Sequence, residues 1–511
     1  MIYPENMTKN RLIPLILLSL LTLVLFFFLR LSNLNGIPVF VDEGIYVRWS
    51  QVMKNEPNLR FIPQTDGKQP LAMWSTIPLF KITKDPLIAG RLVSVASGFG
   101  SLFGIAFLSY VLFGNFFVAN VSSLLYTLVP YTVFFDRMAL ADSMLSMFGL
   151  WTIGLGVLFA KTKRLDHAML LGFAVGGGLL TKSPAIFFYP WIFLALVFFF
   201  RPLKKNKLQS LVRLFTGLFA VLVISQLMYG VLRLGPAFEM IGARNQDYLF
   251  TWKEVLSHPL NPLTGNLKTT INWLWLLLTP TILVALILGF VPKKSRVSAL
   301  FLVIVSLLPL FAQAAIAKVY TSRYILFGVT PLLPIASLGL YWLSTRKGNL
   351  IKLSTIVILV VPLFISLLCV FSPAKAPLSF DMRNGYLEEW TAGWGQKDIA
   401  NYFIDLEAKG EKVVAFTEGY FGTLPDGLQI YTNNHPDITI VGSSPYVGSI
   451  PEGLINTDPQ NQRFLILNKS RNHLNAGHLN DLQLVKEYVK PVRLDGSSEV
   501  LQLYRYLPNS L

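Results

Sequence analysis

Long runs without a single charged residue constrain this chain more than any other feature. Residues 13–29 and 353–372 contain no Asp, Glu, Lys or Arg, and a helix of about 20 apolar residues is long enough to cross a bilayer. Over the 511 residues, 53% are hydrophobic and 14% are charged, whereas soluble domains carry about 25% charged residues. The sequence therefore excludes a soluble enzyme and predicts a polytopic membrane protein.

Apolar segments of helical length recur through the first 372 residues and predict about eleven transmembrane helices in a mainly α fold. The first segment follows Lys9 and Arg11 and has no small-residue cleavage pattern after it, so we expect it to remain as a span. A shorter apolar run, 69–80, is expected to dip into the interface or lie along it. The predicted spans are 12–31, 86–113, 116–135, 140–160, 167–181, 184–200, 208–232, 270–291, 296–317, 323–343 and 350–372.

Basic residues are concentrated in this hydrophobic part of the chain. Residues 1–372 hold 32 of the 44 Lys and Arg but only 12 of the 28 Asp and Glu. Short loops at 161–166, 201–207, 292–296 and 344–352 carry much of that excess, as cytoplasmic loops of membrane proteins do. This distribution argues against a nucleic-acid partner. It predicts a multi-pass protein of the cell membrane with a cytoplasmic N-terminus and, after an odd number of spans, an extracytoplasmic C-terminal part.

The chain changes character at residue 373, where apolar runs shorten to strand length. Residues 1–372 are predicted to form the transmembrane domain, with long outer loops at 32–85 and 233–269; loops of that length are more often functional than structural. Residues 373–511 are predicted to form a small extracytoplasmic α/β domain, of a size that can hold its own core. Its predicted elements are a helix at 396–409, turns at 425–427 and 495–496, and strands at 412–418, 428–432, 437–442, 463–468 and 499–506.

Three carboxylates stand out on the predicted outer side. Asp42 and Glu43 follow the first span, where adjacent acids can bind a cation, act as a general base or simply be solvated. If this stretch is helical, Tyr46 shares a face with Asp42. Asp142 begins an apolar helix, where a carboxylate is costly and marks either a functional site or an ion pair; Arg137 is the nearest cation in the sequence.

Four cations fall on the same side, which is usually poor in them. Each alone can serve as an anchor at the membrane interface. Taken together, their positive charge favours an anionic ligand to the extent that nearby acids do not neutralise it. The simplest such ligand is a phosphate at the level of the lipid headgroups. The four are Lys68, Arg137, Lys182 and Arg323.

The sequence carries no strong cofactor motif. One cysteine, Cys369, excludes a disulfide within the chain and a multi-thiolate metal site. The five histidines show no zinc spacing, and we find no phosphate-binding loop and no nucleophile-elbow serine. Several acids are compatible with a divalent cation, but no spacing requires one.

Five short motifs follow one another along residues 12–345. They are Asp42-Glu43 with Tyr46, Lys68-Gln69-Pro70-Leu71, the run from Arg137 to Asp142-Ser143, Thr181-Lys182-Ser183, and Arg323-Tyr324-Ile325-Leu326. In this order they resemble the motifs of GT-C membrane glycosyltransferases, specifically the protein O-mannosyltransferase and aminoarabinose-transferase group. That group usually has Lys-Pro-Pro-Leu and a Thr-Lys-Gly-like loop, so positions 69 and 183 depart from its pattern. The motifs do not cover the C-terminal domain.

The resemblance implies transfer of a sugar from a polyprenyl-phosphate donor to an acceptor hydroxyl of a protein, glycan or lipid on the outer face, with inversion and without a required cofactor. Asp42 is then the candidate base for the acceptor proton, Glu43 supports it or binds the acceptor, and Asp142 orients the site. The candidates for binding the donor phosphate are Lys68, Tyr46, Arg137, Lys182, Arg323 and Tyr324.

Two other classes of function remain open. A transporter of a lipid-linked or anionic solute places charges at the midplane and often has related halves, whereas the ionisable residues here gather at one face and no duplicated half is found. A non-catalytic glycan-binding membrane protein is the second alternative. The intact acidic pair and the lysine turn argue against it, and the changed Lys-Pro-Pro-Leu motif keeps it open.

Overall fold

A computed structural model describes residues 9–202 and 206–507, with side chains from residue 12 onward. The chain forms two compact units, which we describe in turn. The first contains residues 9–34, 60–72 and 91–377, and the second contains 35–59, 73–90 and 378–507. The side chains of the predicted cytoplasmic residues Lys9 and Arg11 are not described, and Lys204 and Lys205 lie outside the described residues.

The helices of the first unit confirm the prediction of a mainly α, polytopic membrane protein. Within the described residues, seven helices are long and apolar enough to cross a membrane, and one bent pair makes an eighth candidate. Three shorter apolar helices accompany them, and each predicted span coincides with one of these elements. The long helices are Leu12–Leu31, Pro86–Phe113, Asp142–Thr162, Lys207–Leu234, Lys293–Ile316, Ser322–Ser344 and Asn349–Phe371; the shorter ones are Phe116–Leu128, Leu165–Thr181 and Ser183–Phe199.

Two predicted spans are broken at prolines. Segment 116–135 divides into Phe116–Leu128 and Pro130–Phe135. The predicted span 270–291 corresponds to Leu263–Leu278 and Pro280–Leu288, which meet at 95°. Both breaks fall immediately before a proline, which lacks the N–H needed to continue the helical hydrogen bonds.

A buried charge network fixes how the first helix packs. The Arg30 guanidinium donates to the Asp136 carboxylate at 3.1 Å and to the Thr127 carbonyl at 2.7 Å. The Tyr126 hydroxyl donates to the same carboxylate at 3.1 Å, and both charged side chains are fully buried. A buried ion pair is tolerated when its remaining hydrogen-bonding groups are satisfied, so these bonds hold Leu12–Leu31 against the segment around residues 126–136.

Hydroxyl groups connect the helices of the first unit deep in its interior. The Ser122 hydroxyl donates to Ser337 at 2.9 Å, and the hydroxyls of Ser146 and Thr330 lie 2.9 Å apart. Side-chain hydrogen bonds of this kind join helices where lipid offers no competing partners. They fix Asp142–Thr162 and Ser322–Ser344, the two helices that carry Asp142, Arg323 and Tyr324.

The second unit contains a five-stranded mixed sheet. Its strands are β1 (Val413–Thr417), β2 (Ile438–Gly442), β3 (Gln462–Asn468), β4 (Leu482–Val489) and β5 (Val500–Tyr506), in the order β2-β1-β3-β5-β4. β1 pairs in parallel with β2 and β3, while β5 is antiparallel to β3 and β4. The predicted helix is present as Gln396–Glu407, and Phe403 packs with Phe464 of β3 in the core.

The predicted strand at 428–432 is wrong, because these residues form the helix Asp426–Thr432. A five-residue apolar run has too few positions to separate a strand from a buried helical turn. Pro425 directly precedes the helix, and Leu428 and Ile430 are buried within the unit. β4 was not predicted from the sequence. Most of its side chains are exposed, and it therefore lacks the apolar run that indicated the other strands.

Residues 35–59 of the first outer loop also belong to the second unit, where they contain the helix Val41–Asn55. Gln51 donates from Nε2 to the Ile430 carbonyl at 2.7 Å, and Arg48 donates to Asn433 at 2.6 Å. A Cβ at Gly44 would lie only 3.2 Å from main-chain atoms of residues 422 and 427. The helix with the acidic pair is therefore held against Asp426–Thr432. Other short helices are Leu71–Thr76, Met240–Ala243, Asn245–Tyr248, Trp252–Ser257, Phe380–Arg383, Glu452–Ile455 and Ala476–Leu479.

Candidate functional site

Lys68 follows a tight turn that only glycine accommodates. The short helix Ile62–Asp66 ends at Gly67, whose φ is +68°, and a Cβ there would lie 2.6 Å from Cβ of Arg244. The Lys68 ammonium lies 3.8 Å from the Asp66 carboxylate and 3.5 Å from the Tyr248 hydroxyl. The turn therefore brings Lys68 to the second long outer loop, which carries Arg244 and Tyr248.

Arg244 is a site residue that the sequence reasoning missed. Its guanidinium makes ion pairs with Asp66 at 2.5 Å and with Asp247 at 2.6 Å. The hydrogen bonds to Asp66 raise the pKa of Arg244 above its ordinary value, so the side chain keeps its positive charge. The available signal was the length of the loop 233–269, since long loops are commonly functional, but nothing in the loop selects Arg244 over its other cations.

Asp142 is paired with Lys182, which corrects the expectation that Arg137 is its partner. The Lys182 ammonium lies 2.5 Å from Oδ1 of Asp142, whose side chain is 3% exposed. The same ammonium is 4.3 Å from the centre of the Tyr324 ring, and the guanidinium carbon of Arg323 is 5.2 Å from that ring. Tyr324 therefore makes cation–π contacts with both cations.

These groups border a single cavity in the first unit with a volume of about 280 Å³. Three cations, Lys68, Lys182 and Arg244, line it, while Asp66 is the one carboxylate among its described lining residues. Tyr248 and Tyr324 add phenol groups. An excess of cations with hydroxyl donors suits a phosphate. The cavity thus unites the predicted residues Lys68, Lys182 and Tyr324, and Arg323 and Asp142 contact its lining side chains.

The two departures from the family motifs both line this cavity and contact each other. Gln69 stands where the pattern has proline, and Ser183 stands where it has glycine. The Gln69 amide donates from Nε2 to the Ser183 hydroxyl at 2.8 Å, and both residues line the cavity. This hydrogen bond ties the turn that carries Lys68 to the loop that carries Lys182.

Arg137 does not line the cavity, although the sequence grouped it with the phosphate-binding cations. Its guanidinium is buried and donates to main-chain carbonyls that follow the first helix or end it, at distances of 2.7 to 3.0 Å. The last carbonyls of a helix have no partner within the helix. Arg137 therefore supplies a cap. The accepting carbonyls belong to Leu29, Arg30, Ser32 and Asn33.

The acidic pair and Tyr46 lie in the second unit, on the helix Val41–Asn55. Glu43 is fully buried, and its carboxylate accepts a hydrogen bond from the Phe40 amide at 3.0 Å. This gives Glu43 the geometry of a helix N-terminal cap. Asp42 is partly exposed in the first turn. Tyr46 is 8% exposed and stacks on Trp49 at a ring distance of 6.2 Å.

The sequence was compatible with a bound divalent cation, which requires a set of side chains that can bind it. Among the described residues, no group of three or more His, Cys, Asp or Glu side chains is placed to hold a metal ion.

The fold has counterparts among solved structures. ArnT from Cupriavidus metallidurans in the apo state has a TM-score of 0.56 at 14% identity, over 96% of this chain and 97% of that one. The same protein bound to undecaprenyl phosphate gives 0.55 at 14% identity, with the same coverage. The archaeal oligosaccharyltransferase AglB from Archaeoglobus fulgidus, in complex with an inhibitory peptide and a dolichol-phosphate, gives 0.51 at 9% identity, over 90% and 70%. The predicted GT-C fold is confirmed.

Residues 67–229 match the family model described as dolichyl-phosphate-mannose-protein mannosyltransferase. The match begins at the Gly67–Lys68 turn and includes Asp142 and Lys182. Among curated proteins, no significant sequence match is found. The solved structures show that this chain has the GT-C fold, and the family match over residues 67–229 agrees with that fold. They confirm the resemblance to the protein O-mannosyltransferase and aminoarabinose-transferase group.

Proposed function

We propose that this protein transfers a sugar from a polyprenyl-phosphate donor to an acceptor hydroxyl at the non-cytoplasmic face of the cell membrane. The cavity lined by Lys68, Lys182 and Arg244 carries the proposal, because its described lining has three cations and one carboxylate. Asp142 and Asp247 pair with two of these cations from outside that lining. ArnT holds undecaprenyl phosphate and AglB a dolichol-phosphate in the solved structures, which supports the same class of lipid for this chain.

The donor phosphate becomes the leaving group. As the bond between the anomeric carbon and the phosphate oxygen breaks, its electron pair moves to that oxygen and negative charge grows there. Cations already fixed around the phosphate stabilise this charge without reorganising. Lys68 and Arg244 form one side of this set, Lys182 contributes from the adjoining loop, and Tyr248 and Tyr324 offer hydroxyl donors. Arg323 acts through the Tyr324 ring that it contacts.

The acceptor hydroxyl must lose a proton as it attacks the anomeric carbon. A carboxylate placed beside it can take that proton in the transition state, and we assign this role to Asp42. Glu43 and Tyr46 are positioning residues, since Glu43 caps the same helix and Tyr46 is buried in it. Attack opposite the departing phosphate inverts the anomeric carbon in one displacement. The acceptor hydroxyl belongs to a protein, a glycan or a lipid.

Asp42→Asn tests the proposed base. The amide cannot take up the proton, so we expect transfer from a radiolabelled polyprenyl-phosphate sugar to fall by about 10²- to 10⁴-fold. The purified full-length protein should unfold at the same temperature as the wild type. Glu56→Gln is the matched control, because Glu56 is an exposed carboxylate at the other end of the same helix. Full transfer by Asp42→Asn would remove Asp42 from the mechanism.

Lys68→Ala tests the donor site independently of the base. Loss of a charged hydrogen bond to phosphate should weaken donor binding by about 10- to 100-fold. Lys253→Ala, an exposed lysine of the second outer loop, should bind the donor as the wild type does. Wild-type donor affinity in Lys68→Ala would reject the phosphate role. A wild-type protein that binds polyprenyl-phosphate sugars without transferring them would instead favour a non-catalytic binding protein.

A further inference from the structure

Besides its charged groups, the cavity of the first unit has uncharged polar residues in its lining. Gln69, Ser183 and Gln313 line it together with the cations already described. None of these three carries charge, and amide and hydroxyl groups can both donate and accept hydrogen bonds. Sugar hydroxyls have the same double character, whereas a phosphate oxygen only accepts.

Gln313 has an amide nitrogen that the described fold leaves without a hydrogen bond. It lies in the last turn of the helix Arg296–Ile316 and is 9% exposed. Within the described part of the chain, its Nε2 has no hydrogen-bond partner. Burying a polar group without a partner costs about 1–3 kcal/mol, and such a group calls for an explanation. Because Gln313 lines the cavity, a ligand bound there can accept a hydrogen bond from its Nε2.

Ser183 presents a hydroxyl that already accepts one hydrogen bond and still has its own proton to donate. It accepts from Gln69 at 2.8 Å, and the bonds of the described residues give its own proton no acceptor. A hydroxyl oriented in this way is left with a donor for a ligand in the cavity. Gln69 therefore acts through Ser183, as a positioning residue.

We infer that Gln313 and Ser183 bind hydroxyls of the donor sugar and so determine which sugar the protein accepts. This inference rests on the proposed function, because it places a sugar-phosphate in the cavity. The phosphate has Lys68, Arg244 and Lys182 as partners, so its charge does not require an amide. A site built to hydrogen-bond a substrate hydroxyl discriminates strongly against analogues without it, since its buried polar group is then left unpaired.

The test compares two lipids on the full-length protein in detergent. Bare undecaprenyl phosphate reports the phosphate subsite. Binding of undecaprenyl phosphates that carry mannose, glucose or galactose depends on both the phosphate and the sugar subsites. The one of these three that binds the wild type most tightly is used in the comparison. We expect Gln313→Leu to weaken the sugar-bearing lipid by about tenfold while bare undecaprenyl phosphate stays within about twofold of wild type. Ser183→Ala should act in the same direction, and Lys68→Ala should weaken both lipids.

Donors that lack one hydroxyl locate the contact. Removal of the hydroxyl that Gln313 binds should weaken donor binding to the wild type by about tenfold. The same removal should have little effect on donor binding to Gln313→Leu, because the effects of two interacting groups are not additive. Gln209→Leu, an exposed glutamine on the helix Lys207–Gly230, is the matched control and should bind every lipid as the wild type does.

Stability separates this role from a structural one. Without ligand, Gln313→Leu should unfold at the same temperature as the wild type or higher, because it removes an unpaired buried amide. If Gln313→Leu lowers stability and leaves the preference between the two lipids unchanged, the inference is wrong. If Gln313→Leu weakens the binding of both lipids equally, Gln313 contacts the phosphate and the inference is also wrong. If the wild type binds neither lipid, the proposed function fails, and this inference fails with it.

Discussion

Asp142 and Lys182 show how one pair of side chains can serve both the fold and the proposed chemistry. The carboxylate is almost fully buried, and the ammonium reaches both it and the Tyr324 ring. A lone carboxylate at this depth is costly, so Lys182 offsets that cost while its charge still lines the cavity. The sequence indicated that Asp142 needed a partner, but the partner lies 40 residues away.

Single and double substitutions of this pair should separate its two roles. Asp142→Asn or Lys182→Met alone leaves one buried group unpaired and should reduce stability by about 3–5 kcal/mol. The double variant should recover most of that loss, yet bind undecaprenyl phosphate more weakly than the wild type because one cavity cation is missing. Thermal unfolding and lipid binding in detergent measure the two effects. Additive losses in the double variant would show that the two side chains are not coupled.

At the scale of elements, the helix Val41–Asn55 depends on close packing more than on its own sequence. Gly44 lets it approach the main chain around residues 422 and 427, and Gln51 donates to the carbonyl of Ile430. The same packing explains why 428–432 is a helix although its composition indicated a strand. A short apolar run takes the conformation that its neighbours require.

Gly44→Val should disturb this packing. Its branched side chain would meet main-chain atoms that cannot move aside, and overpacking of this kind costs about 1–3 kcal/mol. We expect lower thermal stability and reduced transfer, since Asp42 lies on the displaced helix. Gly448→Val is the control, because a Cβ at Gly448 has no heavy atom within 4 Å. Equal stability and activity of the two variants would contradict the packing argument.

At the scale of the whole molecule, the charge distribution and the span count determine which side each loop faces. The structure confirms a multi-pass arrangement of apolar helices. The predicted orientation, with the basic loops in the cytoplasm and the C-terminal domain outside, rests on the positive-inside bias and is part of our proposal. The C-terminal residue 511, a natural site for a tag, lies outside the described residues.

Cysteine labelling tests this orientation with little background, because the native Cys369 is buried. Lys409→Cys places a thiol on an exposed position of the C-terminal domain, and Lys347→Cys places one in the basic loop 344–352. A membrane-impermeant maleimide added to intact cells should label residue 409 and leave residue 347 unlabelled until the membrane is opened. The reverse pattern would invert the proposed topology.

The apolar spans, the basic loops, four of the five described strands and the motifs around Lys68, Lys182 and Arg323 could be predicted from the amino-acid sequence. These features are local, because a long run of apolar residues or a glycine turn has the same conformational preference in any tertiary context. The segment that contains Lys68 and the loop that contains Lys182 could therefore be named without any knowledge of their neighbours.

Which of these side chains share a cavity became clear from the folded chain. Arg137 caps the end of the first helix, about 100 residues earlier in the chain, and Arg244 reaches Asp66 from a distant loop. Gln313 stands out only because nothing in the described fold bonds its Nε2. Hydrogen bonds and burial depend on partners that are far apart in sequence, and the sequence pattern does not show which distant residues come close together in space.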